Sequence, residues 1–296
     1  MSQAVYQVIT DRIIGLLEQG TVPWQKPWTT SEGDAFPRNL VSRKPYRGVN
    51  TFLLHAMSYG SPYWLTFKQA QALGGNVRKG EKAAPVVFWR WLDTDEKDAT
   101  GKAKRVPMLR YYSVFNVAQC DGIAAPVTEH NGRTHNPIDE AERIVAGMPK
   151  RPAIQLGGNR ACYSPAFDRV SMPEPETFAS GQAYYSVLFH ELTHSTGHES
   201  RLARKGIAGT DGEWSAFGST PYAREELVAE MGAAFLAGHA GIVERTLDNS
   251  AAYIAGWLER LKDDNKLVVM AAAQAQKAAD YILDARQGGD ESEAQS

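Results

Sequence analysis

Residues 185–198 read YSVLFHELTHSTGH and contain His190-Glu191-Leu192-Thr193-His194, the H-E-x-x-H pattern. On a helix, His190 and His194 stand one turn apart on the same face, so both imidazoles can reach a single metal ion. Glu191, offset by about 100°, can hold a water beside that ion. A metal held by two histidines needs at least a third protein ligand, with one position left open if the site is to be catalytic. The longer pattern with a third histidine is excluded, because that position is Ser200. His198 could be a ligand only if the helix survived Gly197, and otherwise has a local hydrogen-bonding or capping role.

The better source is the next helical stretch, residues 221–238, PYAREELVAEMGAAFLAG, where Leu227, Val228, Met231, Ala234 and Phe235 form a buried stripe. Glu226 and Glu230 share one face of it. Glu226 could bind the metal while Glu230 receives the ring N–H of a ligand histidine. The plainer alternative for Glu225, Glu226 and Glu230 is a solvated acidic face paired with Arg224.

The elements that must position these groups are legible around them. Asn136-Pro137 followed by Asp139 and Glu140 starts a helix that runs to about Gly147. Strands are expected at 153–156, 161–164 and 169–172, the last two around a turn at Phe167-Asp168. The motif helix is expected to begin at Thr177 and end at Gly197. Two more helices, 250–261 and about 265–284, precede a polar, acidic tail expected to be disordered.

The N-terminal half has a different character. Residues 1–126 carry 16 basic against 10 acidic side chains, a net +6, while 127–296 carry 16 against 24, a net −8. A helical period over 3–19 stops at Gly20, and short helices are expected at 50–59 and 66–73, the second capped by Thr66. Strands at 85–92 and 108–118 read as a hairpin whose charged tip spans 93–107. Cations stand beside aromatics throughout: Trp24, Lys26, Trp28, Arg38, Lys44, Tyr46, Arg47, Arg78 and Lys79. Single-stranded nucleic acid is bound by such a combination, a positive groove for phosphates and flat rings on which bases stack. The competing reading makes the aromatics core and the cations surface. Gly74–Gly80 lacks the spacing of a phosphate-binding loop.

A hydrophobic share of 43% and charged share of 22% describe an ordinary globular chain, and its 296 residues suffice for two domains with a core each. No apolar run is long enough to span a bilayer and no secretory signal is read at the start, so no membrane partner is expected. Cys120 and Cys162, the only two cysteines, fit a reducing cytoplasm and are expected to be small core residues. Residues 122–137, GIAAPVTEHNGRTHNP, have no apolar period and suit a linker; His130 and His135 within it are read as exposed.

Four segments carry a resemblance: YQVITDRIIGLLEQGTVPWQKPW, PYRGVNTFLL, FHELTHSTGH and YAREELVAEMGAAFL. Together they resemble the ArdC antirestriction proteins of conjugative plasmids, and the N-terminal part is similar to the start of TraC-type plasmid primases. The resemblance implies an α+β chain of two domains. An α/β domain at 1–126 would bind single-stranded DNA, a linker would span 127–136, and a zincin-like metallopeptidase domain with a small sheet would occupy 137–286, before a disordered tail at 287–296. It further implies His190 and His194 as ligands of a divalent metal, most simply Zn2+, Glu191 as the acid/base, and an acidic ligand from EELVAE, assigned to Glu226. Tyr222, one turn before Glu226, is a candidate oxyanion donor. The implied role is protection of incoming single-stranded plasmid DNA from host restriction, with a host restriction component as a conceivable protein substrate. The alternative is a DNA-coating protein whose metal site is structural or regulatory.

Overall fold

The apolar period near the N-terminus becomes helix α1 (Ser2–Glu18), which buries Val5, Ile9, Ile13 and Leu17. Gly20, at φ 76°, ends it while the Thr21 N–H returns to the Leu16 carbonyl at 2.9 Å. The structure, a computed structural model, describes residues 2–25, 36–97, 103–126, 136–204, 220–242 and 250–285. The linker at 127–136, except Asn136, and the tail at 287–296 lie outside the described residues.

The N-terminal half continues through β1 (Arg38–Asn39), α2 (Val49–Ala56), β2 (Tyr63–Thr66), α3 (Phe67–Ala72), β3 (Asn76–Val77), β4 (Ala84–Lys97), β5 (Ala103–Asn116) and β6 (Cys120–Asp121). Thr66 caps α3 in a full capping box with Gln69. One sheet has the order β1-β2-β5-β4, and β3 pairs separately with β6. The long hairpin departs from the sequence reading. Pairing continues through the charged segment, with Asp93 opposite Arg105 and Lys97 opposite Ala103. Ladder hydrogen bonds join backbones, so charged side chains do not stop them.

In the C-terminal half, α4 (Pro137–Gly147) starts at Asn136, whose side chain accepts the Ile138 N–H. β7 (Ala153–Leu156), β8 (Cys162–Ser164) and β9 (Arg169–Met172) form a sheet in the order β7-β9-β8, with β7 parallel and β8 antiparallel to β9. The motif helix α5 (Gly181–Ser195) begins later than expected. Pro175–Thr177 is a short 3-10 turn, and Ser180 supplies the cap by accepting the Ala183 N–H. Helices α6 (Thr220–Ala240), α7 (Ala251–Asp263) and α8 (Leu267–Ile282) complete the described chain. Cys120 is buried, but Cys162 is exposed on β8, which corrects its placement as a core residue.

The two halves share their largest core. One cluster of buried side chains runs from Ile9, Trp24 and Phe52 through Leu192 and Phe235 to Ala271. Phe52 and Phe235 pack at a tilt of 36° with ring centroids 4.7 Å apart, and Trp24 meets Trp257 edge-on at 6.0 Å. The Thr10 hydroxyl donates to the Asn265 carbonyl at 2.7 Å, and the Gly48 N–H to Gln276 at 3.0 Å. Two smaller clusters, around Leu65 and around Trp64, belong to the N-terminal half. Among the described residues no helix is long and apolar enough to cross a membrane.

Candidate metal centre

Helix α5 places His190 and His194 on one face, and the close approach of α6 supplies the third donor. That approach depends on Gly232, where a Cβ would lie 2.4 Å from the Thr193 side chain. His190, His194 and Glu226 then bring one ligand atom each to within 4.8 Å of one another. The two Nε2 atoms are 3.1 Å apart, and the Glu226 carboxylate is 3.5 Å from His190 Nε2 and 3.6 Å from His194 Nε2. Two imidazoles and one carboxylate converging on a point can hold a metal ion.

Electrostatics fit that convergence. Burial lowers the pKa of His190, but Glu226, Glu191 and Glu230 outweigh it and leave it raised. Burial likewise opposes charge on Glu226, yet the histidines and the Tyr222 hydroxyl bring its pKa down to about 2. The Tyr222 hydroxyl is pushed up to about 12, by burial first and then by Glu226. It therefore stands as a hydrogen-bond donor to Glu226, beside the donor cluster where the sequence reading put an oxyanion donor.

The carboxylate expected to receive a ligand histidine's ring N–H is a different one. His194 Nδ1 lies 3.3 Å from Glu225, and Arg204 grips the same carboxylate through Nη2 at 2.6 Å and Nε at 3.1 Å. Burial resists charge on Glu225, but His194 and Arg204 hold its pKa below the usual range. Arg204 is itself buried and also donates to the Thr193 carbonyl and the Thr196 hydroxyl. Glu230, the residue chosen for this role from the sequence, instead accepts from Trp24 Nε1 at 2.9 Å and from the Tyr253 hydroxyl. Burial raises its pKa.

Glu191 is 8% exposed, and its Oε2 accepts the Tyr163 N–H of β8 at 2.8 Å. The second strand of the small sheet thus orients the expected acid/base. His198 lies outside the cluster. Its Nδ1 meets the Ser200 hydroxyl at 2.9 Å and accepts the Ser200 N–H, so it closes the turn after α5.

The expected nucleic-acid residues scatter more widely. Trp24 is 0% exposed and Tyr46 is 7% exposed, which corrects their assignment as stacking platforms. Arg47 pairs with Asp280, and Arg78 with Glu81 at 2.8 Å and Asp121 at 3.5 Å. Arg38 is half-buried, while Lys44 and Lys79 are exposed. Lys26 and Trp28 lie outside the described residues. The roles of Glu225, Arg204 and Gly232 are not legible locally. Glu225 was legible only as one of three neighbouring acids, and nothing local ties Arg204 to it across 21 residues.

Residues 3–115 match the N-terminal domain of anti-restriction factor ArdC, and residues 139–274 match a zincin-like metallopeptidase family. The crystal structure of the antirestriction ArdC protein from plasmid R388 in its metal-free form superposes with a TM-score of 0.71, at 38% identity, covering 94% of this chain and 96% of that one. The chain belongs to the ArdC antirestriction family. The Mn(II)-bound structure of the same R388 protein gives 0.73 at 37% identity over 96% and 99% of the two chains. A protein of Sinorhizobium fredii, y4eC, is 37% identical over 94% of this chain and 91% of its own length. Two DNA primases TraC of Escherichia coli are each 36% identical over 94% of this chain, which spans only 20% and 27% of their lengths.

Proposed function

We propose that the protein is a plasmid antirestriction factor that binds single-stranded DNA with its N-terminal half and holds one divalent metal ion between α5 and α6. The observation that carries this reading is the convergence of His190, His194 and Glu226 inside a chain of the ArdC family. Zinc suits a donor set of two imidazoles and one carboxylate, and the R388 relative has been solved with Mn(II). The ion would supply Lewis acidity to a bound carbonyl. Glu191 would accept a proton there, its carboxylate aimed by the Tyr163 N–H. Glu225, backed by Arg204, would fix the ring of His194. The protected DNA would be the strand entering a recipient cell, in the cytoplasm, and a host restriction component is the proposed protein substrate.

A second reading has its own support. Glu191 and Tyr222, the two groups expected to meet a substrate, both have internal partners, the Tyr163 N–H and Glu226. A site closed in this way suits a metal that stabilises or regulates while DNA coating gives the protection.

The two readings separate in one experiment. Plasmid transfer into a restricting host is scored for wild type and Glu191→Ala, with metal content and oligonucleotide affinity measured on both. Loss of protection with folding, metal and DNA affinity retained assigns the role to chemistry at Glu191. Full protection by the variant assigns it to the second reading.

A further inference from the structure

With Trp24 and Tyr46 buried, the described residues leave open where a base could sit on the N-terminal half. One cavity there, of about 340 Å3, has the right chemistry. Leu40, Val41, Arg43, Leu73, Ile123 and Ala124 line it. Its volume is at the lower end of the roughly 300–1,000 Å3 of small-molecule sites. Apolar side chains alternate in the walls with the Arg43 guanidinium and turn backbone, and they are not covered, since Val41 is 52% and Leu73 50% exposed.

The cavity is held in shape by its backbone. Its floor forms because the 74–75 turn approaches the strand end at 121–123 closely; a Cβ on Gly75 would fall 2.3 Å from the Ile123 side chain. Its rim is the 39–44 turn, in which the Asn39 side chain accepts the N–H groups of Val41 and Ser42, and the Lys44 carbonyl accepts the Asn39 N–H. That turn sets Arg43 at φ 60°, a conformation rare for a side chain of this size. The Arg43 guanidinium lies over the Tyr63 ring, 5.1 Å from its centroid. An arginine held over a ring in this way can offer its guanidinium plane to a base. Lys44 is exposed on the same turn, no acid lines the cavity among the described residues, and Asp121, next to the lining Gly122, is engaged by Arg78 at 3.5 Å.

We propose that this cavity takes one unstacked base of single-stranded DNA, between the Arg43 guanidinium and the Val41, Leu73 and Ile123 side chains, with Lys44 meeting an adjoining phosphate. The site deepens the DNA-binding reading above and rests on it. The apolar side chains and the guanidinium reward a base face, and Lys44 at the rim rewards its backbone.

The test uses the full-length protein and fluorescein-labelled oligo(dT) in anisotropy titrations over a range of salt, with melting curves on every variant. Ala124→Trp fills the slot. Val41→Glu puts a carboxylate at its mouth from a half-exposed position and serves if the first variant does not fold. Ala124→Trp is expected to weaken binding about 10-fold with the salt slope of wild type, as loss of one base contact without loss of a phosphate contact requires, while Val41→Glu, whose carboxylate also opposes Lys44, is expected to weaken it at least as much with a smaller salt slope. Arg43→Ala should weaken binding to a similar degree, and Lys44→Ala should reduce the salt slope by about one. An oligonucleotide with abasic sites should bind wild type and Ala124→Trp more nearly alike. Wild-type affinity in folded Val41→Glu and Ala124→Trp overturns the slot and leaves DNA binding standing. No binding of oligo(dT) by wild type overturns the DNA-binding reading and the slot with it.

Discussion

Trp24 and Glu230, 206 residues apart in the chain, meet through a 2.9 Å hydrogen bond from the indole Nε1 to the carboxylate. The bond ties the end of the first basic segment to the helix that carries Glu226, one turn before Glu230. It turns a residue expected to touch DNA into one that holds the two halves together.

Trp24→Phe keeps a ring in the core but removes that donor. A buried carboxylate that loses a partner costs about 1–3 kcal/mol. Thermal unfolding of the variant should therefore fall by several degrees, while oligonucleotide affinity of the folded protein stays within about twofold. A fall in affinity at an unchanged melting temperature would return Trp24 to the DNA surface.

Phe52 on α2 and Phe235 on α6 pack with ring centroids 4.7 Å apart within the shared core. The whole chain should accordingly unfold in one calorimetric transition, and residues 1–126 made alone should lack cooperative unfolding because Ile9, Trp24 and Phe52 lose their covering. Phe52→Ala should cost about 3–5 kcal/mol in the whole protein. Two well-separated transitions, or a folded 1–126 fragment, would show that each half keeps a core of its own.

Glu225 sits between His194 and Arg204, so Glu225→Gln should weaken metal binding. Carboxylates in that position are worth roughly 10–100-fold in affinity. Zinc and manganese titrated into metal-stripped protein by calorimetry measure it directly. Equal affinities in the two proteins would deny Glu225 any part in orienting the ring.

Asp168 stabilises the small sheet through Arg201, whose side chain is 1% exposed, and through the Tyr163 hydroxyl at 2.8 Å. Burial opposes its charge, but Arg201 and Tyr163 bring its pKa below the usual carboxylate range. A depressed carboxyl stabilises the fold fully above its unfolded pKa and loses that contribution as pH falls through the folded one. Asp168→Asn should hence lower the melting temperature at neutral pH, and the gap from wild type should shrink as pH falls below about 4. A gap that persists unchanged to pH 2 would place the stabilisation elsewhere.

Much of this protein was readable in one dimension. The period of α1, the Thr66 capping box, the Asn136-Pro137 start of α4 and the spacing of His190 and His194 are local features, fixed by residues within a turn of one another. The spacing of Glu226 and Glu230 marked α6 as the source of an acidic donor, for the same reason. Which acid meets which group was not local. Glu225 faces His194 and Glu230 faces Trp24 because Gly232 sets how closely α6 packs on α5, and because α7 brings Tyr253 against the far end of the same face. The basic and aromatic composition of the first half marked a surface chemistry, yet composition cannot tell an exposed ring from a buried one. Only the packing of α1 and α2 on α6, α7 and α8 decided that Trp24 is core, since burial depends on partners that lie two hundred residues away.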